Sequence, residues 1–153
     1  MSSSPAPASL ASRWVMRLEV DCAPPVTVGE IDTGLREDYP IVGGRFVGNG
    51  LHGEVLPGAD RFLRRADGVG VLDARYALRT SDDVLIHIHN RGLLWAPPGP
   101  DGRPDETAPF RCHCVPRFDA PQGRYAWLNQ AIFAGRVSYP ALGQVHIDLF
   151  RFD

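Results

Sequence analysis

The stretch VLDARYALRTSDDVLIHIHNRG, residues 71–92, decides the fold because it contains two alternating segments that meet at Ser81-Asp82-Asp83. Apolar and polar residues alternate on both sides of this acidic turn, a pattern that predicts two antiparallel strands joined as a β-hairpin. A two-residue turn at Asp82-Asp83 sets the pairing of every residue along both strands. Most candidate site residues of the chain lie in this hairpin, so this pairing also determines which polar side chains lie on the same face of the sheet.

With that turn, Arg75 lies directly opposite Asn90, and Tyr76 lies opposite His89. Side chains alternate between the two faces of a sheet, so one face carries Arg75 and Asn90, and the other carries Tyr76, His87 and His89. A turn centred one residue earlier, on Ser81-Asp82, gives the same division of side chains between the two faces. We therefore expect one of these two faces to line the interior of a barrel and the other to meet solvent or a partner subunit.

The rest of the chain repeats the pattern of short alternating segments between turns. Sixteen Gly and fourteen Pro residues interrupt the sequence too often for long helices. So many short antiparallel strands are expected to curl and close, which removes exposed edges. The sequence predicts an all-β fold, a single antiparallel β-barrel with one short helical turn near residues 124–129. The predicted strands are 16–22, 44–47, 50–56, 60–65, 69–80, 84–91, 110–118, 130–138 and 144–152.

Length and composition indicate one ordinary globular domain of 153 residues, with residues 1–15 as a disordered tail and 16–153 as the barrel domain. The net charge of −2 gives no general affinity for nucleic acid or anionic membranes. All sixteen basic residues are Arg, which excludes Schiff-base chemistry on a lysine. Three cysteines without a secretory signal predict a reducing, cytoplasmic location. No apolar segment approaches the length of about 20 residues that spans a bilayer.

The two faces of the hairpin predict different chemistry. On the first, Arg75 could stabilise an oxyanion beside Asn90, or it could be an exposed strand arginine paired with a nearby aspartate. On the second, His87 and His89 could shuttle protons or share a metal, or they could be surface histidines with Tyr76 packed against His89. Both alternatives remain open for each face.

Two other segments contain candidate site residues. Cys112-His113-Cys114 has the residue types of a metal site, but it lacks the further ligands that zinc needs, so no metal and no cofactor are predicted. Asp60 follows a Pro-Gly turn, where it either caps the turn or faces a ligand as an acid or base. The Pro-rich loop at residues 96–109 is long enough to lie over a barrel mouth.

Three segments resemble domain-of-unknown-function family 3237: GGRFVGNGLHGEVLPGAD (43–60), LDARYALRTSDDVLIHIHNRG (72–92) and PRFDAPQGRYAWLNQAIFAGR (116–136). The resemblance implies a compact lipocalin-like barrel that is often oligomeric, and it implies no assigned reaction. The family pattern has an acidic residue and Gly at the hairpin turn, where this chain has Asp82-Asp83. The positions of the family pattern that match polar and aromatic residues here are Asp60, Arg75, Asn90, Trp127 and Asn129.

These observations predict a barrel that binds an apolar or aromatic carbonyl-containing metabolite and acts by cofactor-independent acid–base chemistry, as an isomerase, cyclase, lyase or hydrolase. Arg75 would stabilise negative charge and Asp60 would move the proton. Asn90 and Asn129 would orient the substrate, on which Trp127 and Phe46 would stack. The alternatives are a non-catalytic ligand-binding protein and a structural module buried between subunits. We expect a homo-oligomer, with a dimer as the simplest assembly.

Overall fold

The computed structural model describes residues 3–153, which form ten β-strands and one short 3-10 helix. The strands are β1 (Ser12–Cys22), β2 (Val26–Ile31), β3 (Gly34–Gly48), β4 (Leu51–Val55), β5 (Gly58–Arg65), β6 (Gly70–Thr80), β7 (Leu85–Trp95), β8 (Arg111–Asp119), β9 (Phe133–Ala141) and β10 (Gln144–Phe152). The 3-10 helix is η1 (Ala126–Gln130). It confirms the helical turn predicted near residues 124–129.

The strands close into an eight-stranded antiparallel barrel. Neighbouring strands follow the order β1, β10, β9, β8, β7, β6, and the ring closes because β1 also pairs with β3. β4 and β5 together occupy one strand position of the ring, because both pair with β3 on one side and with β6 on the other. β2 lies outside this ring and pairs with the first half of β3. The predicted single antiparallel barrel is therefore confirmed.

Alternation along each strand builds the core. In β8, every second residue is buried and the others are exposed, as expected when one face packs inward and the other meets water. Burying each large apolar side chain stabilises the fold by roughly 2 kcal/mol. Thr80 and Asn90 are the buried side chains classed as polar among residues 3–153. The bulkiest fully buried side chains are Phe46, Phe133, Met16, Leu18, Leu78, Ile86, Ile88, Leu128 and Leu149.

The turn of the β6–β7 hairpin contains three residues rather than two. The backbone N–H of Thr80 donates to the carbonyl of Val84 at 3.0 Å, and that of Asp83 donates to the carbonyl of Thr80 at 2.9 Å. Asp83 has φ of 64°, the left-handed conformation that ends a three-residue hairpin loop. Aspartate tolerates this conformation better than most residues do. The predicted two-residue turn is wrong.

The extra residue shifts the pairing by one position. Arg75 lies opposite His89, Ala74 lies opposite Asn90, and Tyr76 lies opposite Ile88. A shift of one residue turns one strand over relative to the other, so the predicted division of faces is also wrong. Tyr76 and Asn90 share the interior, whereas Arg75 and His89 share the outer surface.

The sequence located most strands but missed β2 and the first half of β3. β2 is exposed along almost its whole length and contains a Gly, so it shows no apolar alternation. β1 begins at Ser12, which pairs with Phe152, so residues 12–15 of the predicted tail belong to the barrel. The first two residues of that tail lie outside the described residues.

The two ends of the barrel differ. At the closed end, which contains the hairpin turn and η1, the Tyr125 hydroxyl donates to Asp82 at 2.6 Å, and Leu128 is buried. This hydrogen bond lowers the pKa of Asp82 to about 2. At the opposite end, Arg64 forms an ion pair with Glu106 of the Pro-rich loop. No helix among residues 3–153 is long and apolar enough to cross a membrane.

Candidate functional site

A row of inward-facing residues crosses the barrel wall from β3 to β7. Tyr39 pairs with Asp60, Asp60 pairs with Ala74, and Ala74 pairs with Asn90. Neighbouring strands are about 4.8 Å apart, so Asp60 and Asn90 lie roughly 10 Å apart with Ala74 between them. The single methyl group of Ala74 leaves the two polar side chains without a bulky neighbour on the strand that separates them.

Asp60 is a largely buried carboxylate with one hydrogen bond from the barrel wall. β5 and β6 pair at Asp60–Ala74 and again at Leu63–Val71, and within this gap the backbone N–H of Asp73 donates to Asp60 Oδ1 at 2.9 Å. Burial raises the pKa of Asp60 to about 6, although the hydrogen bond from Asp73 opposes the shift. A carboxyl group that titrates near neutrality can both accept and return a proton under physiological conditions.

Two buried polar groups on the same inner wall as Asp60 are unsatisfied among the described residues. The Tyr76 hydroxyl and the Asn90 amide oxygen find no hydrogen-bond partner within residues 3–153, and the two residues are only 7% and 4% exposed. Tyr76 follows Ala74 by one inward position on β6. An unsatisfied buried polar group costs about 1–3 kcal/mol, so a native fold rarely retains two without a purpose. Both groups therefore have unused hydrogen-bonding capacity.

Cysteine side chains complete this part of the interior. Cys114 lies beside the Asn90 amide, Cys112 precedes it on the same inward face of β8, and Cys22 lies within electrostatic range of Asp60. Burial raises the pKa of each thiol to about 11. The thiols are therefore protonated at neutral pH and are weak nucleophiles. Among residues 3–153, no group of three or more His, Cys, Asp or Glu side chains could hold a metal ion.

The structure places several predicted site residues away from this interior. Arg75 and His87 are exposed on the outer face of the hairpin. His89 is on the same outer face, where its ring Nε2 lies 2.6 Å from Asp73 Oδ1. The alternative face predicted from Tyr76, His87 and His89 is thus divided, because only Tyr76 points inward.

The other predicted ligand-binding residues lie in the core or at the closed end. Phe46 is 2% exposed and belongs to the packed core. Trp127, on η1, packs against Phe133 with ring centroids 6.1 Å apart. The Asn129 side chain donates to the carbonyl of Ala120 and accepts from its backbone N–H, both at 2.8 Å. Asn129 therefore fixes the segment after β8, and its amide is already paired.

The outer surface of β10, β1, β3, β4 and β6 carries opposite charges face to face. His146 pairs with Glu19, Glu19 pairs with Arg45, and Arg45 pairs with Glu54 across adjacent strands. Arg45 Nε lies 2.5 Å from Glu19 Oε2. A depression of about 260 Å³ beside these residues lies on the outside of the barrel. We interpret this surface as a solvated face, since its charges satisfy one another.

A family model for proteins of unknown function, DUF3237, matches residues 10–152. The chain belongs to the DUF3237 family. A UPF0311 protein of Rhodopseudomonas palustris is 32% identical over 149 residues, which cover 94% of this chain and 97% of that relative. The family is thus matched over the whole barrel, including β5 with Asp60 and the hairpin with Tyr76 and Asn90.

Solved structures share the DUF3237 barrel. The crystal structure of a conserved R. palustris protein of unknown function has a TM-score of 0.86 at 31% identity and covers 96% of this chain and 100% of its own. A β-barrel-like protein from Acinetobacter baumannii has a TM-score of 0.84 at 26% identity, with 98% and 100% covered. A protein from Penicillium herquei, described as an enzyme, has a TM-score of 0.73 at 21% identity, with both chains fully covered. At that identity the last likeness shows the fold alone.

Proposed function

We propose that the barrel interior between β3 and β7 binds a small apolar or aromatic carbonyl compound and moves a proton on it without a cofactor. One observation carries this proposal: the Tyr76 hydroxyl and the Asn90 amide oxygen are buried without partners among the described residues, on the same inner wall as a carboxyl group whose pKa is about 6. Polar groups that converge in an otherwise apolar interior are the usual content of a small-molecule site.

Each group has a distinct role. Asp60 removes a proton from the carbon next to the carbonyl, and the electron pair moves onto the carbonyl oxygen. The Tyr76 hydroxyl donates a hydrogen bond to that oxygen, which stabilises the negative charge. The Asn90 amide oxygen accepts a hydrogen bond from a hydroxyl of the substrate. Asp60 then returns the proton to a different carbon of the extended enolate, or to the opposite face of the same carbon, so that the net result is isomerisation.

This proposal moves the stabilisation of negative charge from Arg75 to Tyr76. Arg75 is exposed on the outer face, opposite His89, and it cannot reach a ligand held by Asn90 inside the barrel wall. The P. herquei protein described as an enzyme supports catalysis as a use of this fold. It indicates nothing about the residues or the substrate of the present chain.

Isotope exchange tests the proposal directly. With 4-hydroxyphenylacetone in D2O, the native protein should accelerate replacement of the methylene protons by deuterium. Proton NMR measures the rate of this exchange. Asp60→Asn should lower this acceleration at least 100-fold, since it removes the base. Asp119→Asn, which changes an exposed aspartate on β8, should leave it unchanged.

The same experiment separates the enzyme from a non-catalytic binding protein. A non-catalytic binding protein would bind 4-hydroxyphenylacetone, yet the exchange rate would remain that of buffer alone. Equal exchange in native protein and Asp60→Asn would likewise remove Asp60 from any catalytic role.

A further inference from the structure

Three residues of β5 face the barrel interior in succession: Asp60, Phe62 and Arg64. They alternate along the strand, so their side chains project from the same face. Phe62 is buried, and its ring meets that of Tyr39 edge-on with centroids 6.0 Å apart. With about 3.3 Å per residue, the Cα atoms of Asp60 and Arg64 are roughly 13 Å apart. β5 thus presents a carboxylate, an aromatic ring and a cation in a line from the middle of the barrel towards the end where Arg64 pairs with Glu106.

Arg64 is held in place at this end by several contacts. Its side chain is 26% exposed, and its guanidinium lies 5.0 Å above the centre of the Phe62 ring. One nitrogen donates to the carbonyl of Gly68 at 3.0 Å, and another donates to the carboxylate of Glu106. Because an arginine can bind a carboxylate through two parallel hydrogen bonds, the guanidinium is a suitable receptor for that group.

Glu106 comes from the Pro-rich loop that follows β7. An isolated antiparallel β-bridge between Pro98 and Pro104 joins the two halves of the loop, and Pro104 lies against Gly68. The loop therefore brings a carboxylate of its own to Arg64. The side chain of Glu106 remains 45% exposed, so solvent reaches the pair.

Tyr39 connects this pair to the interior. Burial raises the pKa of Tyr39, and the charges of Glu37, Glu106 and Asp60 raise it further, while Arg64 lowers it. Its phenol is thus within electrostatic range of both Arg64, at this end of the barrel, and Asp60.

We propose that Arg64 binds a carboxylate group of the substrate, and that Glu106 occupies the guanidinium until the substrate displaces it. This inference rests on the proposed function, and it names the substrate class: an aromatic compound that carries a carbonyl and a carboxylate. Phe62 packs against the aromatic part, Arg64 holds the carboxylate, and Asp60 meets the carbon that exchanges its proton.

Two probes that differ in one group test this inference. The compound 4-(2-oxopropyl)benzoate carries a carboxylate where 4-methylphenylacetone carries a methyl group. In both compounds the ring lies between this group and the exchanging carbon, which matches the order Arg64, Phe62 and Asp60 along β5. Calorimetry with the native protein should give a dissociation constant at least about 10-fold lower for the carboxylate probe. In Arg64→Gln, this ratio should fall to about 1, and Arg64→Lys should retain part of it, since a lysine keeps the charge but not the paired geometry.

Glu106 and an outward arginine provide the controls. Glu106→Gln should tighten binding of the carboxylate probe by about 3- to 10-fold, since it removes the competing carboxylate, and should leave binding of 4-methylphenylacetone unaffected. Arg61→Gln changes an exposed arginine on the same strand and should leave the ratio unchanged.

An unchanged ratio in Arg64→Gln, or weaker binding of the carboxylate probe by Glu106→Gln, would overturn the inference. If 4-methylphenylacetone binds in a Tyr76-dependent manner while the carboxylate gives no advantage, the role of Arg64 fails and the proposed function survives. If neither probe binds the native protein, both fail.

Discussion

Replacing Asp60 with Asn should increase the free energy of unfolding by about 2 kcal/mol at pH 7.5 and by less than about 0.5 kcal/mol at pH 3.5. Burial raises the pKa of Asp60 from an ordinary value of 3.8 to about 6. Below the lower value, the carboxyl is protonated in both the folded and unfolded states. As the pH rises from about 4 to 6, the unfolded chain loses this proton before the folded protein does, so this group lowers stability progressively.

The asparagine variant lacks that titration and retains an oxygen to accept the N–H of Asp73, so its advantage should appear over this pH range. Two units of pKa correspond to at most about 3 kcal/mol, and residual solvent contact reduces this value. Urea denaturation from pH 3.5 to 8 measures the difference. Asp119→Asn, at an exposed position, provides the comparison and should show no such pH dependence. A gain of equal size at all pH values, or a loss at pH 7.5, would show that the carboxylate of Asp60 is not destabilised by burial.

Replacing Tyr76 with Phe should increase the free energy of unfolding by about 1 kcal/mol and weaken binding of 4-hydroxyphenylacetone by about 10- to 100-fold. The hydroxyl of Tyr76 is buried without a partner among the described residues, so its removal relieves a desolvation cost. The same hydroxyl is the proposed donor to the ligand carbonyl, so binding should suffer. A group whose loss stabilises the protein and impairs binding serves the ligand rather than the fold.

Tyr125→Phe is the matched control for this pair of effects. Its hydroxyl donates to Asp82 at 2.6 Å at the closed end, so its removal should lower stability and leave ligand affinity unchanged. Urea denaturation and calorimetry on both variants provide the two readouts. A loss of stability in Tyr76→Phe with unchanged affinity would assign its hydroxyl a structural role.

The barrel itself follows from periodicity along the sequence. The alternation in β6, β7, β8 and β10 separates inward from outward residues correctly within each strand, because side-chain direction depends only on strand geometry. The relation between strands depends instead on the length of one turn. Asp83 adopts the left-handed conformation, and the family pattern has Gly near this point, which was the available signal for a three-residue loop.

The sequence named individual residues of the candidate site but not their arrangement, because the arrangement depends on the pairing between strands. Asp60, Tyr76 and Asn90 could each be named from their residue types, and Asp60 and Asn90 also from the family resemblance, but their grouping required the correct register. The ion pair between Arg64 and Glu106 could not be predicted, since it joins residues far apart in sequence through a loop without periodicity. Asn129 could be named but not interpreted, because its partner is a backbone amide at Ala120.

The location of the site on the inner rather than the outer wall is decided most directly by one comparison of affinities. Dissociation constants for 4-hydroxyphenylacetone should be measured by calorimetry for native protein, Asn90→Ala and Arg75→Ala. Asn90 points into the barrel and Arg75 points out of it, although they are neighbours in the hairpin. We expect Asn90→Ala to weaken binding at least about 10-fold and Arg75→Ala to change it less than about twofold. The reverse result, weak binding by Arg75→Ala and native affinity in Asn90→Ala, would contradict an interior site.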